Sequence, residues 1–259
     1  MIFKPKLVLL YHRINPNFGI KPEVFKKQIK ILKRLLSKDQ FLITFDDGFY
    51  DFFFYAYPIL KEFELNAVIF ISPERILNSE DIRYNAELTR ISTSTAFCNS
   101  FLKNDNSAFL SWGELKAVSD IVDVQSHGLT HRASIGKGHP YKKGDWRICS
   151  LTEEERAKVK EGTELTSILV TNYEEAEREL KESKEIIEKK LGKSVNSIAF
   201  PWGIYNDNLI EIAKATGYKY CFTTERGWNR RKDCKIKRLS VSEKKNMFWF
   251  VTRSIIYAL

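Results

Sequence analysis

In QFLITFDDGFYD, residues 40–51, two carboxylates, Asp46 and Asp47, stand side by side at the end of an apolar run. Consecutive side chains of a strand point to opposite faces, and Gly48 lets the backbone turn sharply away. Burying two charges there is costly unless a cation offsets them. Two of the four histidines, His127 and His131, lie in SHGLTHR directly after a second strand-like run, IVDVQS. A spacing of four lets both imidazoles face one point if the loop coils through a helical turn. Joined to the aspartates, the pair makes a candidate three-ligand metal site with an open position. One aspartate can bind the metal while its neighbour acts as a base. Two chemistries stay open: metal-assisted hydrolysis, which needs a spare carboxylate to take a proton from water, and an Fe(II) oxygenase, which does not. A third candidate element is IAFPWGIYND, residues 198–207, where proline and glycine fix a turn. The backbone amide of Trp202 could stabilise an oxyanion there, and its ring could wall a sugar.

These residues need elements to bring them together. Strand-length apolar runs at LVLLYH (7–12), QFLITF (40–45), NAVIFI (66–71), IVDVQS, SIAF, YKYCFTT and IKRLSV alternate with helical patterns. In the segment 22–37, Phe25, Ile29, Leu32 and Leu36 recur at helical spacing behind a proline suited to a first turn. In 173–192, Ala176, Leu180, Ile187 and Leu191 share a face and the helix stops near Gly192. Such alternation predicts a parallel α/β sheet, open or closed into a barrel, whose loops after the strands gather on one face. Segments 78–110 and 136–170 break the rhythm and read as insertions over a site in a single domain spanning 1–259. The final MFWFVTRSIIYAL predicts a helix closing the barrel with Phe248, Val251, Ile255 and Leu259 as its stripe, and its aromatics suit peripheral contact with a membrane.

The chain has 259 residues, is 43% apolar and carries a net charge of +9. Its basic residues are spread out, and the clusters Arg230-Arg231-Lys232 and Lys235 to Arg238 read as solvated surface, so no nucleic-acid role is expected. Four scattered cysteines make no C-x-x-C pair or disulfide framework, and no cleavable leader is evident, which together predict a reducing, cytoplasmic setting.

TFDDG, SHGLTH and FPWG, in this order and spacing, resemble the first three motifs of the polysaccharide deacetylases of the NodB-homology type, carbohydrate esterase family 4. The resemblance implies a distorted (β/α)7 barrel that removes N-acetyl or sometimes O-acetyl groups from glycans. It also implies roles: Asp46 as catalytic base, Asp47, His127 and His131 as metal ligands, and Pro201 and Trp202 as the motif whose amide joins the oxyanion hole. The sequence departs from the pattern in three ways. Ala199 stands where an arginine is usual, so the group that orients the base must come from elsewhere. No Leu-x-His follows near the C-terminus, but Leu10-Tyr11-His12 fits that motif at the first strand, similar to the permuted branch of poly-N-acetylglucosamine deacetylases, and implies His12 as the general acid. The family's base-orienting aspartate and tryptophan motif has no clear counterpart; Trp228 is the nearest candidate.

The expected function is thus a metal-dependent deacetylase of an amino-sugar-containing polysaccharide, oligosaccharide or lipid-linked saccharide. The expected cofactor is one divalent ion, Zn2+ first, with Co2+, Ni2+ or Mn2+ as substitutes. The alternatives are a deformylase of a lipid-linked amino sugar and a non-catalytic glycan-binding module on the same fold.

Overall fold

A computed structural model of the protein describes residues 6–230 and 234–258. Chain order is β1 (Leu7–Tyr11), α1 (Pro22–Leu35), β2 (Phe41–Phe45), a π-helical turn (Phe52–Ala56) running into α2 (Tyr57–Glu62), β3 (Ala67–Ile71), α3 (Thr93–Lys103), α4 (Trp112–Ala117), β4 (Val122–Ser126), β5 (Ala133–Pro140), α5 (Glu153–Lys158), β6 (Glu164–Ser167), α6 (Tyr173–Leu191), β7 (Ser197–Ala199), α7 (Asp207–Ala215), β8 (Tyr220–Phe222), β9 (Lys235–Ile236), β10 (Leu239–Ser240) and α8 (Met247–Ala258).

Eight of the strands form one sheet in the order β10-β1-β2-β3-β4-β7-β8-β9, parallel throughout. The run IKRLSV, expected as one strand, is split. β9 pairs with β8 at one edge, and after only Lys237 and Arg238, β10 pairs with β1 at the other. One short segment therefore joins both edges of the curled sheet, and counting it once gives the seven staves of a distorted (β/α)7 barrel. Strands buried on both faces read as continuous apolar runs rather than alternating ones, which is why the pattern was legible. Val8, Val68, Phe70, Ala199, Phe222 and Ile236 fill the inside, while Leu7, Leu9, Ile43, Ile69, Val124 and Ile198 belong to the larger core under the helices.

The two insertions are ordered. The first carries α3; the second carries the antiparallel pair β5 and β6 with α5. Cys98 of α3 is bonded to Cys149, 51 residues on, which corrects the expectation of unpaired cysteines. α8 is a helix, but its stripe differs from the predicted one: Phe250, Ser254 and Ala258 are buried, whereas Phe248 is 78% and Ile255 36% exposed. Apolar residues occur all round this helix, so apolarity alone does not mark a face; the small Ser254 and Ala258 allow close approach to the barrel. Leu259, Arg231 and Lys232 lie outside the described residues. No described helix is long and apolar enough to cross a membrane.

Candidate metal centre and active site

The site forms where the loops after β1, β2, β4, β7 and β8 meet. Asp46 continues the ladder beyond β2, its N–H donating to the carbonyl of Tyr11 at 3.0 Å. Asp47 and Gly48 then both take left-handed backbone, φ 75° and 74°, which swings the chain away and leaves the two carboxylates in different surroundings. At Gly48 a side chain would crowd Ile71 and Ile76 at 3.0 and 3.1 Å. Asp47, His131 and Trp202 are three of the five described non-glycine residues with positive φ. Backbone of this kind costs energy and persists where surrounding structure enforces it, often at functional sites.

The loop 127–131 does not coil into the predicted helical turn. Gly128 and His131 are both left-handed, and α6 holds the loop instead. Glu179 accepts from the N–H groups of Leu129 (2.8 Å) and Thr130 (3.0 Å) and from the Thr130 hydroxyl, and Ser183 donates to the Gly128 carbonyl at 3.1 Å. Both residues lie on the buried face of α6, between the apolar positions singled out in the sequence. Their spacing was the available signal; a buried glutamate is uncommon enough to have marked a partner nearby.

Asp47, His127 and His131 converge, buried, with Asp47 Oδ1 3.4 Å from His127 Nε2 and 3.3 Å from His131 Nε2. N and O donors about 2.0–2.1 Å from a tetrahedral ion lie roughly 3.3 Å apart, so the two Asp47–histidine separations match those of ligands sharing such an ion. His127 Nδ1 donates to the Ala199 carbonyl at 2.7 Å, which leaves Nε2 as the ligand lone pair. His131 Nδ1 is buried without a partner. Burial works against the charge on Asp47, but the His127 and His131 imidazoles beside it outweigh burial and hold the carboxyl well below the usual range.

Asp46 faces a different partner. Arg238 grips it with both terminal nitrogens, at 2.7 and 2.8 Å, and neither side chain is more than 4% exposed. The arginine comes from the two-residue join between β9 and β10. It also donates to the Thr223 carbonyl at 2.9 Å, and its guanidinium lies 5.5 Å from the ring centroid of Phe70. Burial pushes the Asp46 carboxyl up, but Arg238 and His127 overcome it, and the net direction is down. The arginine absent at position 199 is thus supplied from the seam of the barrel. Its cluster, Lys235 to Arg238, had been expected on the solvated surface.

A cavity of about 290 Å³ opens over these groups, lined by His12, Asp46, Asp47, His127, His131, Trp146, Phe200 and Trp202 among others. His12 is exposed at its rim. Pro201 is buried behind the turn, Cγ 3.7 Å from where a side chain on Gly128 would begin, and shapes the turn rather than lining the cavity. His139 is exposed on β5 and does not line it. Trp228, the candidate for the base-orienting motif, is 56% exposed and donates to the Ile256 carbonyl, away from the site. Trp146, which sequence reasoning did not single out, comes from the second insertion and stands over His131.

The strand ends of a parallel barrel thus bring together an Asp-His-His cluster able to hold a metal ion and a neighbouring carboxylate held by an arginine. The chain is a member of the polysaccharide deacetylase family, whose profile it matches over residues 33–221. It is 24% identical over 234 residues to the poly-beta-1,6-N-acetyl-D-glucosamine N-deacetylase of Staphylococcus aureus, covering 81% of this chain and 62% of that protein. A putative polysaccharide deacetylase of Bacillus subtilis, YxkH, is 22% identical over 72% of this chain and 45% of its own length. The chain therefore spans less than two thirds of these curated relatives. Among solved structures, IcaB from Ammonifex degensii superposes with a TM-score of 0.66 at 17% identity, covering 98% of this chain and 97% of that one. The deacetylase PplD of Streptococcus pyogenes, in complex with acetate, gives 0.64 at 19% identity over 96% and 97%. At these identities the likeness concerns the fold. His12 and Arg238 both fall outside the matched residues 33–221.

Proposed function

We propose that the chain, acting as a single domain, hydrolyses the N-acetyl group of an amino sugar within a glycan or saccharide, using one divalent metal, zinc by preference, held by Asp47, His127 and His131. The observation that carries this reading is the paired arrangement of the two carboxylates, one in the metal cradle and its neighbour clamped by Arg238. The oxygenase alternative gives that second carboxylate no task. An ion bound in the cradle supplies Lewis acidity for the carbonyl and for an attacking water. Asp46, kept ionised by Arg238, accepts the proton that water loses as its oxygen bonds to the acetyl carbon. The backbone N–H of Trp202 donates to the oxygen that becomes negative. His12 gives a proton to the nitrogen as the C–N bond breaks, because an amine anion is too poor a leaving group to depart unprotonated; acetate and a free amine result. Pro201 holds the Trp202 turn in place.

The staphylococcal relative named for poly-β-1,6-N-acetylglucosamine makes that glycan the first substrate to test. The expectation of a cytoplasmic setting rested partly on unpaired cysteines, and the Cys98–Cys149 bond removes that part of its ground; an oxidising setting suits the pair better. Exposed Phe248, Ile255 and Ile256 on α8 support peripheral contact with a membrane that carries the glycan or a lipid-linked saccharide. The test is acid release by the metal-loaded protein from a panel of N-acetylated and N-formylated saccharides. Acetate from the N-acetylated members is expected. Formate as the sole product would turn the assignment to a deformylase, and tight binding without either acid would turn it to a glycan-binding module.

A further inference from the structure

The two insertions meet directly above the metal cradle. Phe97 of α3, from the first, and Trp146, from the second, stack face to face, with centroids 3.8 Å apart and planes 1° from parallel. The next residues of each segment, Cys98 and, three further along, Cys149, are joined by the disulfide. Phe97 is itself fixed against Phe49 and Phe109, whose centroids lie 5.6 and 5.3 Å away, and against the His131 ring at 5.1 Å. Trp146 also contacts Trp202, at 4.7 Å, and is only partly buried because one side of it lines the cavity. Trp202, on the same wall, keeps its indole Nε1 buried and without a partner.

A large aromatic ring held on one face by packing, with another side turned to a cavity, presents a rigid apolar platform at little entropic cost. We propose that Trp146 is a specificity-determining residue of this site: the sugar that carries the scissile amide packs its apolar C–H face on this ring, and Phe97 together with the Cys98–Cys149 bond holds the ring in register with the metal cradle. The proposal rests on the reading that the cavity receives an N-acetylated amino sugar. It makes a neutral pyranose, rather than an extended acyl chain or a charged ring, the preferred occupant beside the metal.

The test separates binding from chemistry. The probe is a β-1,6-linked trimer of N-acetylglucosamine, titrated calorimetrically into metal-loaded Asp46→Asn protein, which leaves the probe intact. The same titration is run with Trp146→Ala, Trp146→Phe and Cys98→Ser/Cys149→Ser added to that background. Losing a central aromatic anchor typically weakens binding on the order of 10-fold or more. The expected series is such a loss for Trp146→Ala, partial recovery for Trp146→Phe, which keeps a ring against Phe97, and an intermediate loss for the double serine variant, all with one metal per chain. In the otherwise wild-type enzyme, Trp146→Ala should raise KM for the trimer more than it lowers kcat. Unchanged affinity in Trp146→Ala overturns the proposal, and unchanged affinity in the double serine variant overturns the tether. Failure of the wild type to release acetate, with Trp146-dependent binding intact, counts against the deacetylase reading alone; absence of any binding overturns both.

Discussion

Arg238→Met removes the group that makes a buried Asp46 tolerable. The pair is nearly dry, with side-chain exposures of 0% and 4% and two short hydrogen bonds, so the substitution leaves a carboxylate buried without its countercharge while a methionine fills most of the space. Breaking a buried ion pair from one side costs about 3 to 5 kcal/mol. At this chain length each kcal/mol moves Tm by about 2–4 °C, so a fall of roughly 6 to 20 °C is expected. The pH dependence gives the sign. In the wild type the Asp46 carboxyl is held below its ordinary value, so its contribution to stability is present above that value and is lost as pH falls through the lower, folded one. Without Arg238, burial becomes the dominant influence and the carboxyl moves up; the folded state then binds the proton more tightly than the unfolded chain, and stability is lost as pH rises. The gap in Tm between wild type and Arg238→Met should therefore be wide at pH 7.5 and narrow towards pH 4.5, measured by scanning calorimetry at equal metal content. Asp46→Asn added to Arg238→Met should recover much of the loss, since removing both partners costs less than removing one. A gap independent of pH, or no gap at pH 7.5, would refute the reasoning.

Other outcomes follow from the same geometry. His127→Ala should lower the metal-to-protein ratio measured by elemental analysis well below the wild-type value, and equal content in both would remove His127 from the ligand set. His12→Ala should lose roughly 100-fold or more of the deacetylation rate as a missing general acid, with metal retained, whereas His139→Ala, on an exposed strand outside the cavity, should keep the rate. The reverse result would move the acid to the second insertion. Phe248→Ser, on the exposed side of α8, should weaken sedimentation with anionic liposomes without changing Tm; identical sedimentation would exclude this face from membrane contact.

Asp46, Asp47, His127 and His131 were legible because each sits at most five residues beyond a run of strand length, and a parallel sheet gathers such positions at one end. The helix of 173–192 was legible for a similar reason, one clear stripe with a glycine behind it. Arg238 was not. It lies 192 residues from Asp46, in a basic cluster, and only the split of one expected strand between two sheet edges turns it inward. The face of α8 was misjudged because nine of its twelve residues are apolar and occur on every side of it. Pairing of Cys98 with Cys149 could not be read at all, since it depends on two insertions meeting in space, and the same meeting brings Trp146 to the site.

The most direct test of the account is acetate release from the β-1,6-linked N-acetylglucosamine trimer by Asp46→Asn, measured beside the wild type with each protein holding its full metal complement. The substitution keeps the shape and removes the proton acceptor, and loss of a general base costs on the order of 100- to 10,000-fold in rate. The account predicts a loss in that range with metal still bound; a near-native rate from metal-loaded Asp46→Asn would contradict it.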